Sequence, residues 1–191
     1  MSPDAPRVPY LDDPWLASSP AHAAIADAIR ERRAGGHLLN LDRMLLHSPA
    51  FALGWNGLLG AVRSRLKLDP ALRELAICAV AQLNAAPYEW AQHVEEWRRA
   101  GAREEQISAL QAPAATWAAQ SVFSIQEYLV LALTERMSAA ITVPAPLMEA
   151  VVKQFGEEIT VELVGTIAAY NMVSRFLVAL NISVAGEGPS P

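Results

Sequence analysis

Residues 73–93 read RELAICAVAQLNAAPYEWAQH, and this stretch decides the fold. Asp69-Pro70 just before it is a cap and first-turn pair, so a helix is expected from 70 to about 84. Leu72, Leu75, Ala76, Ile77, Ala79, Val80, Ala81 and Leu83 make that helix apolar nearly all round, as a central buried helix is. Asn84 to Pro87 break it, and Pro87 opens the next helix, carrying Tyr88, Glu89, Trp90, His93, Val94 and Trp97 to a stop at Gly101. Three ionisable groups stand in this apolar setting: Glu74, Glu89 and His93. Glu89 and His93 are four positions apart, so on a helix they project from one face. Glu74 must reach them through the fold.

Working outward, the rest of the chain also reads as helix. Ser19-Pro20 opens a helix to about Arg33, stopped by Gly35-Gly36. A short helix is expected from about Leu38 to His47, and Ser48-Pro49 starts another to about Leu66. Residues 103–111 form a short acidic-headed helix, and 112–119 read as a loose linker around Pro113. Ser124-Ile125-Gln126-Glu127 has the capping-box pattern of a helix to about Ala140. Thr142 and Pro144 precede a helix to about Phe155, Gly156 stops it, and a last long helix covers about 157–181. No segment alternates like a strand between hairpin turns, so the class is all-α.

The 191 residues, 52% hydrophobic, suit one compact domain, expected over 21–182. Residues 1–20 hold Pro3, Pro6, Pro9, Pro14 and Pro20 and read as an extended arm with Tyr10, Trp15 and Leu16 as anchors. Residues 183–191 read as a flexible tail. The net charge of -5 gives no footprint for nucleic acid. The lone cysteine, Cys78, excludes an intrachain disulfide and a cysteine zinc cluster, which fits a cytoplasmic setting. No export signal or membrane-spanning run is expected, hence no membrane partner. Helices so broadly apolar suggest a homo-oligomer (dimer, trimer or hexamer), with exposed aromatics in its interfaces.

Histidine moves protons near neutral pH, and a carboxylate that fixes its tautomer improves it as a base. Glu89 and His93 supply such a pair; the bland alternative is a surface pair worth a few tenths of a kcal/mol. A metal site of Glu74, Glu89 and His93 is disfavoured, because di-iron bundles space Glu and His by three and repeat the motif. Cys78 shares a face with Glu74 and reads as a small core hydrophobe. His22, His37 and His47 read as structural or surface groups. Tyr170, Asn171 and Arg175 make a polar cluster in the apolar last helix; Arg175 would hold a substrate carboxylate, or the cluster serves capping or an interface. No phosphate loop, dinucleotide fingerprint or nucleophile elbow occurs, so no cofactor is expected.

The run LDPALRELAICAVAQLNAAPYEWAQHVEEWRRAGAREEQISAL resembles the carboxymuconolactone decarboxylase family, whose wider group includes the alkylhydroperoxidase AhpD. The resemblance is strongest over 66–110 and extends loosely over about 38–182. It implies an AhpD-like helical bundle. In the peroxidase branch a glutamate, a Cys-x-x-Cys pair and a histidine form the signature; in register these fall on Glu74, Ala86, Glu89 and His93. Both cysteines are missing, which speaks against dithiol peroxidase chemistry, because the thiolate is the nucleophile there. The resemblance then implies a cofactor-free acid–base decarboxylation, or a related proton transfer, on a small carboxylated lactone or carbonyl compound. His93 would deliver the proton, Glu89 orient it and Glu74 act as second acid or base, with Tyr88, Trp90, Tyr170 and Arg175 shaping the substrate pocket. A non-catalytic oligomeric ligand-binding protein is the alternative in which these groups do not converge.

Overall fold

The computed structural model describes residues 5–119 and 121–187, and among these every regular element is helical. The helices are α1 (Asp13–Ala17), α2 (Pro20–Arg32), α3 (Asn40–Leu45), α4 (Pro49–Ser64), α5 (Pro70–Leu83), α6 (Pro87–Arg99), α7 (Glu104–Leu110), α8 (Ile125–Ala139) and α9 (Ala145–Leu180). The described residues form two compact units, one of those up to Arg65 together with those from Ala179, the other Leu66–Val178.

In the first unit, the arm is not simply extended. Asp12 accepts a hydrogen bond from the Trp15 backbone N–H at 2.8 Å and starts the five-residue α1, with Pro14 in its first turn. Trp15 packs edge-on to His22 at 4.7 Å, and His22 Nδ1 lies 2.7 Å from Ser19 Oγ. His47 bonds the Pro9 carbonyl at 2.8 Å. The arm is also tied by the Arg7 N–H to the Leu180 carbonyl and by Arg43 to the Leu11 carbonyl, each at 2.9 Å. The C-terminal stretch is pinned as well: Asn40 donates to the carbonyls of Ser183 and Ala185, and its backbone N–H to the Glu187 carboxylate. Residues 1–4 of the arm and 188–191 of the tail lie outside the described residues.

The second unit is built on α5, which packs against α6, α7 and α8. Glu74 through Ala81 are buried without interruption, because a helix apolar on all sides is stable only when surrounded. Asp69 caps it, accepting from the backbone N–H groups of Ala71 and Leu72 at 2.9 and 3.1 Å. Its C-terminus closes in a Schellman turn. The Ala86 N–H reaches the Ala81 carbonyl at 2.9 Å and the Ala85 N–H the Gln82 carbonyl at 3.3 Å, which holds Ala85 at φ 48°. That turn sends α6 back along α5. Residues 114–119, inside the stretch read as a loose linker, form a 3₁₀ segment. Trp117 anchors it: the ring is buried and its Nε1 donates to the Ala112 carbonyl at 3.0 Å.

The Ser124–Glu127 capping box forms as expected. In α9, Gly156 at φ 78° and ψ 169° interrupts the helix where the sequence placed a stop. By length and mean hydropathy of 1.5, α9 is a helix able to cross a bilayer, contrary to the expectation that no such run exists. Half of that apolar window is buried inside the fold.

Candidate functional site

Glu74, on the second turn of α5, is 2% exposed and its carboxylate is held from both sides. Its Oε2 lies 2.7 Å from Nδ1 of His93, and its Oε1 accepts from Arg73 Nε at 3.0 Å. A carboxylate against Nδ1 fixes the imidazole tautomer, placing the ring's proton exchange at Nε2. Tyr170 of α9 stands edge-on to the His93 ring, centroids 5.0 Å apart and planes at 88°. The imidazole is thus set in orientation by a carboxylate on α5 and an aromatic ring on α9.

Glu89 and His93 do share the buried face of α6, with Val94 and Trp97. The orienting carboxylate is nevertheless Glu74, where the sequence reading gave that role to Glu89. Neighbouring positions on a helix bring two side chains to one face without aiming them at each other, and the Glu89 carboxyl is engaged elsewhere. Ser174 Oγ of α9 lies 3.1 and 3.0 Å from its two oxygens.

The two carboxyls are shifted in opposite directions. Burial pushes Glu74 up, but the hydrogen bond and positive charge of His93, followed by those of Arg73, outweigh it and hold the group below the usual carboxylate range. Burial pushes Glu89 well above that range, and the Ser174 hydroxyl offsets only part of the rise. Cys78, fully buried on α5, is pushed well above the ordinary thiol range by burial and then by the negative charge of Glu74 and Glu89.

Among the other expected site residues, Tyr88 is buried on α6 and Trp90 half-buried beside it. Arg175 is exposed, and its Nη1 donates to the Asn171 carbonyl and side-chain oxygens at 2.8 and 3.1 Å. Asn171 also accepts from Asn84 Nδ2 at 3.0 Å and donates to Ser138 Oγ at 2.9 Å. It fastens the C-terminus of α5 and the end of α8 to α9, so the polar cluster on the last helix is in large part a structural knot. The sequence reading missed Arg73 and Ser174. Arg73 had a signal, a cation next to a carboxylate in an apolar helix; Ser174 had none beyond its place on α9. Among the described residues, no three His, Cys, Asp or Glu side chains converge as a metal site.

The all-α fold is that of AhpD-like proteins of solved structure. Residues 49–126 match the model of the carboxymuconolactone decarboxylase family. Among solved structures, the chain is similar to an uncharacterized peroxidase-related protein from Silicibacter sp. (TM-score 0.77, 15% identity, 98% of this chain and 94% of that one). It is similar also to an alkylhydroperoxidase AhpD core protein from Ralstonia eutropha (TM-score 0.73, 16% identity, 95% and 93%). A third is the debrominase Bmp8, solved in complex with 2,3,4-tribromopyrrole (TM-score 0.72, 14% identity, 93% and 90%). No curated protein matches the chain.

Proposed function

We propose that the chain is a cofactor-free acid–base enzyme of the carboxymuconolactone decarboxylase type, acting in the cytoplasm as a homo-oligomer on a small carboxylated lactone or related carbonyl compound. The observation that carries this reading is the buried 2.7 Å bond between Glu74 and His93 Nδ1, backed by Arg73. In the decarboxylation, the bond from the carboxylate carbon to the ring carbon breaks and carbon dioxide leaves. The electron pair passes into the substrate's own conjugated carbonyl, and His93 Nε2 delivers a proton to the ring carbon as the enolate collapses. Glu74 compensates the imidazolium before that transfer, and the ring regains its proton from water for the next cycle. Tyr88 and Trp90, on the same helix as Glu89 and His93, stand as pocket walls.

The similarity to a debrominase supports catalysis on small rings by this fold, and that to peroxidase-related proteins raises a thiol mechanism. Against the latter stand Ala86 and Glu89 in the two cysteine positions and a buried Cys78 whose thiolate is disfavoured. A screen of small lactones and carboxylates followed by ultraviolet absorbance, with His93→Ala as control, tests the proposal. Turnover is expected to fall by about 10²–10⁴-fold in the control; unchanged turnover overturns the role of His93. Reversible oxidation of Cys78 under mild peroxide, read by mass spectrometry, would favour the thiol reading instead.

A further inference from the structure

We propose that the outward face of α9 is a self-association surface on which two copies of this chain pack antiparallel about a two-fold axis. The inward face of the helix is fully used: Leu163, Thr166, Ile167, Tyr170, Val173, Ser174 and Leu177 are buried. On the opposite side, Glu158, Val161, Gly165, Ala168, Met172 and Arg175 follow one another at steps of three and four positions. That alternation is the spacing of a coiled-coil seam, which keeps all six on one narrow stripe. All are exposed except Met172, which is half-exposed, and Val161 is 71% exposed.

A solvated helix face looks different in this same chain. The outward side of α6 carries Glu95, Glu96, Arg98 and Arg99, paired with one another and with α7. The α9 stripe has no charge between Glu158 and Arg175.

Its order is also self-complementary. With the two-fold axis passing between positions 166 and 167, Gly165 of each copy meets Ala168 of the other, Val161 meets Met172, and Glu158 meets Arg175. Small residues stand where the helices cross, apolar ones on either side, and opposite charges at both ends. Gly165 gains a reason here. A glycine inside a helix weakens it, and a Cβ at this position would meet nothing within 4 Å in the chain itself, so no intrachain contact calls for it. A second helix lying across it does. Arg175 uses only Nη1 on Asn171, leaving Nε and Nη2 to donate outward. Glu158 already bonds Lys67 at 2.9 Å, and a carboxylate accepts from a second cation as well.

Sedimentation equilibrium of the full chain at tens of micromolar tests this. The wild type is expected as a dimer or a multiple of two, Ala168→Glu as a lower-mass species with unchanged circular dichroism, and R175E as at least about tenfold weaker in association. The double change E158R with R175E reverses every end pair at once and is expected to restore association. With Cys78 buried, Gly165→Cys together with Ala168→Cys is expected to give a disulfide-linked dimer on oxidation. A monomeric wild type, a trimer, a mass indifferent to Ala168→Glu, or co-sedimentation with phosphatidylcholine vesicles in place of self-association would overturn the proposal.

Discussion

Glu74 and Glu89 are the same residue type, only 2% and 1% exposed, and both belong to the helical pair at the centre of the second unit. One sits between a guanidinium and an imidazole, the other against a single hydroxyl. The first is held below the usual carboxylate range and the second is pushed well above it. Burial alone raises both groups. Only a partner able to carry positive charge reverses the effect, so the fold, by choosing each neighbour, has moved the proton affinities of two glutamates apart.

Amide substitution is the sharpest way to break this comparison. Glu74→Gln removes the charge held between the Arg73 guanidinium and the His93 ring. We expect a stability loss of about 3–5 kcal/mol and a fall in turnover of about 10²–10⁴-fold. Glu89→Gln removes a carboxyl with no cationic partner and keeps its shape, and its expected stability change is within about 1 kcal/mol. Urea unfolding of both variants at pH 7 checks the pair. Equal losses would mean that the two carboxyls share one charge state.

The pH dependence separates them next. Glu74 has a folded pKa below its unfolded value, so its contribution is fully present above the ordinary carboxylate range and is lost as pH falls through the folded value. Glu89 has a folded pKa well above the unfolded one. Its contribution is full below the ordinary range and erodes as pH rises toward the folded value, because the native state then holds a proton that the unfolded chain has released. Glu89→Gln is therefore expected to gain on wild type as pH rises from about 5 to 8, while Glu74→Gln gains on it only on acidification. Denaturation midpoints measured from about pH 3 to 8 give the two slopes, and slopes of the same sign would remove the distinction.

Much of this pattern is legible in the chain. Asp69-Pro70 and Pro87 mark the helices that meet at the site, and ionisable groups in an apolar run mark the site itself, because both signals are local. What is not legible depends on distance along the chain. Glu89 stands one turn from His93, yet the partner of His93 lies 19 positions away, and the partner of Glu89 lies 85 away on α9. A helical wheel gives the face a side chain leaves from, and only the packing of α5, α6 and α9 gives what it meets. Proline content had a similar limit in the arm, where Pro14 reads as a helix breaker until Asp12 is seen capping the turn that follows.

The smallest effect tests the weaker partner. Ser174→Ala takes from Glu89 the hydroxyl within 3.1 Å of both its oxygens, and nothing else in that bond carries charge. Because the hydroxyl favours the ionised form, its loss is expected to raise the Glu89 pKa further, with a stability cost of about 1 kcal/mol. Glu74 and His93 keep their bond, so turnover through the imidazole is expected to change less than in Glu74→Gln by at least tenfold. If Ser174→Ala instead abolishes turnover while leaving the midpoint of unfolding in place, then Glu89 passes a proton in the reaction. The division between a carboxylate that orients the imidazole and a carboxyl set apart from it would then become a division between two working acids.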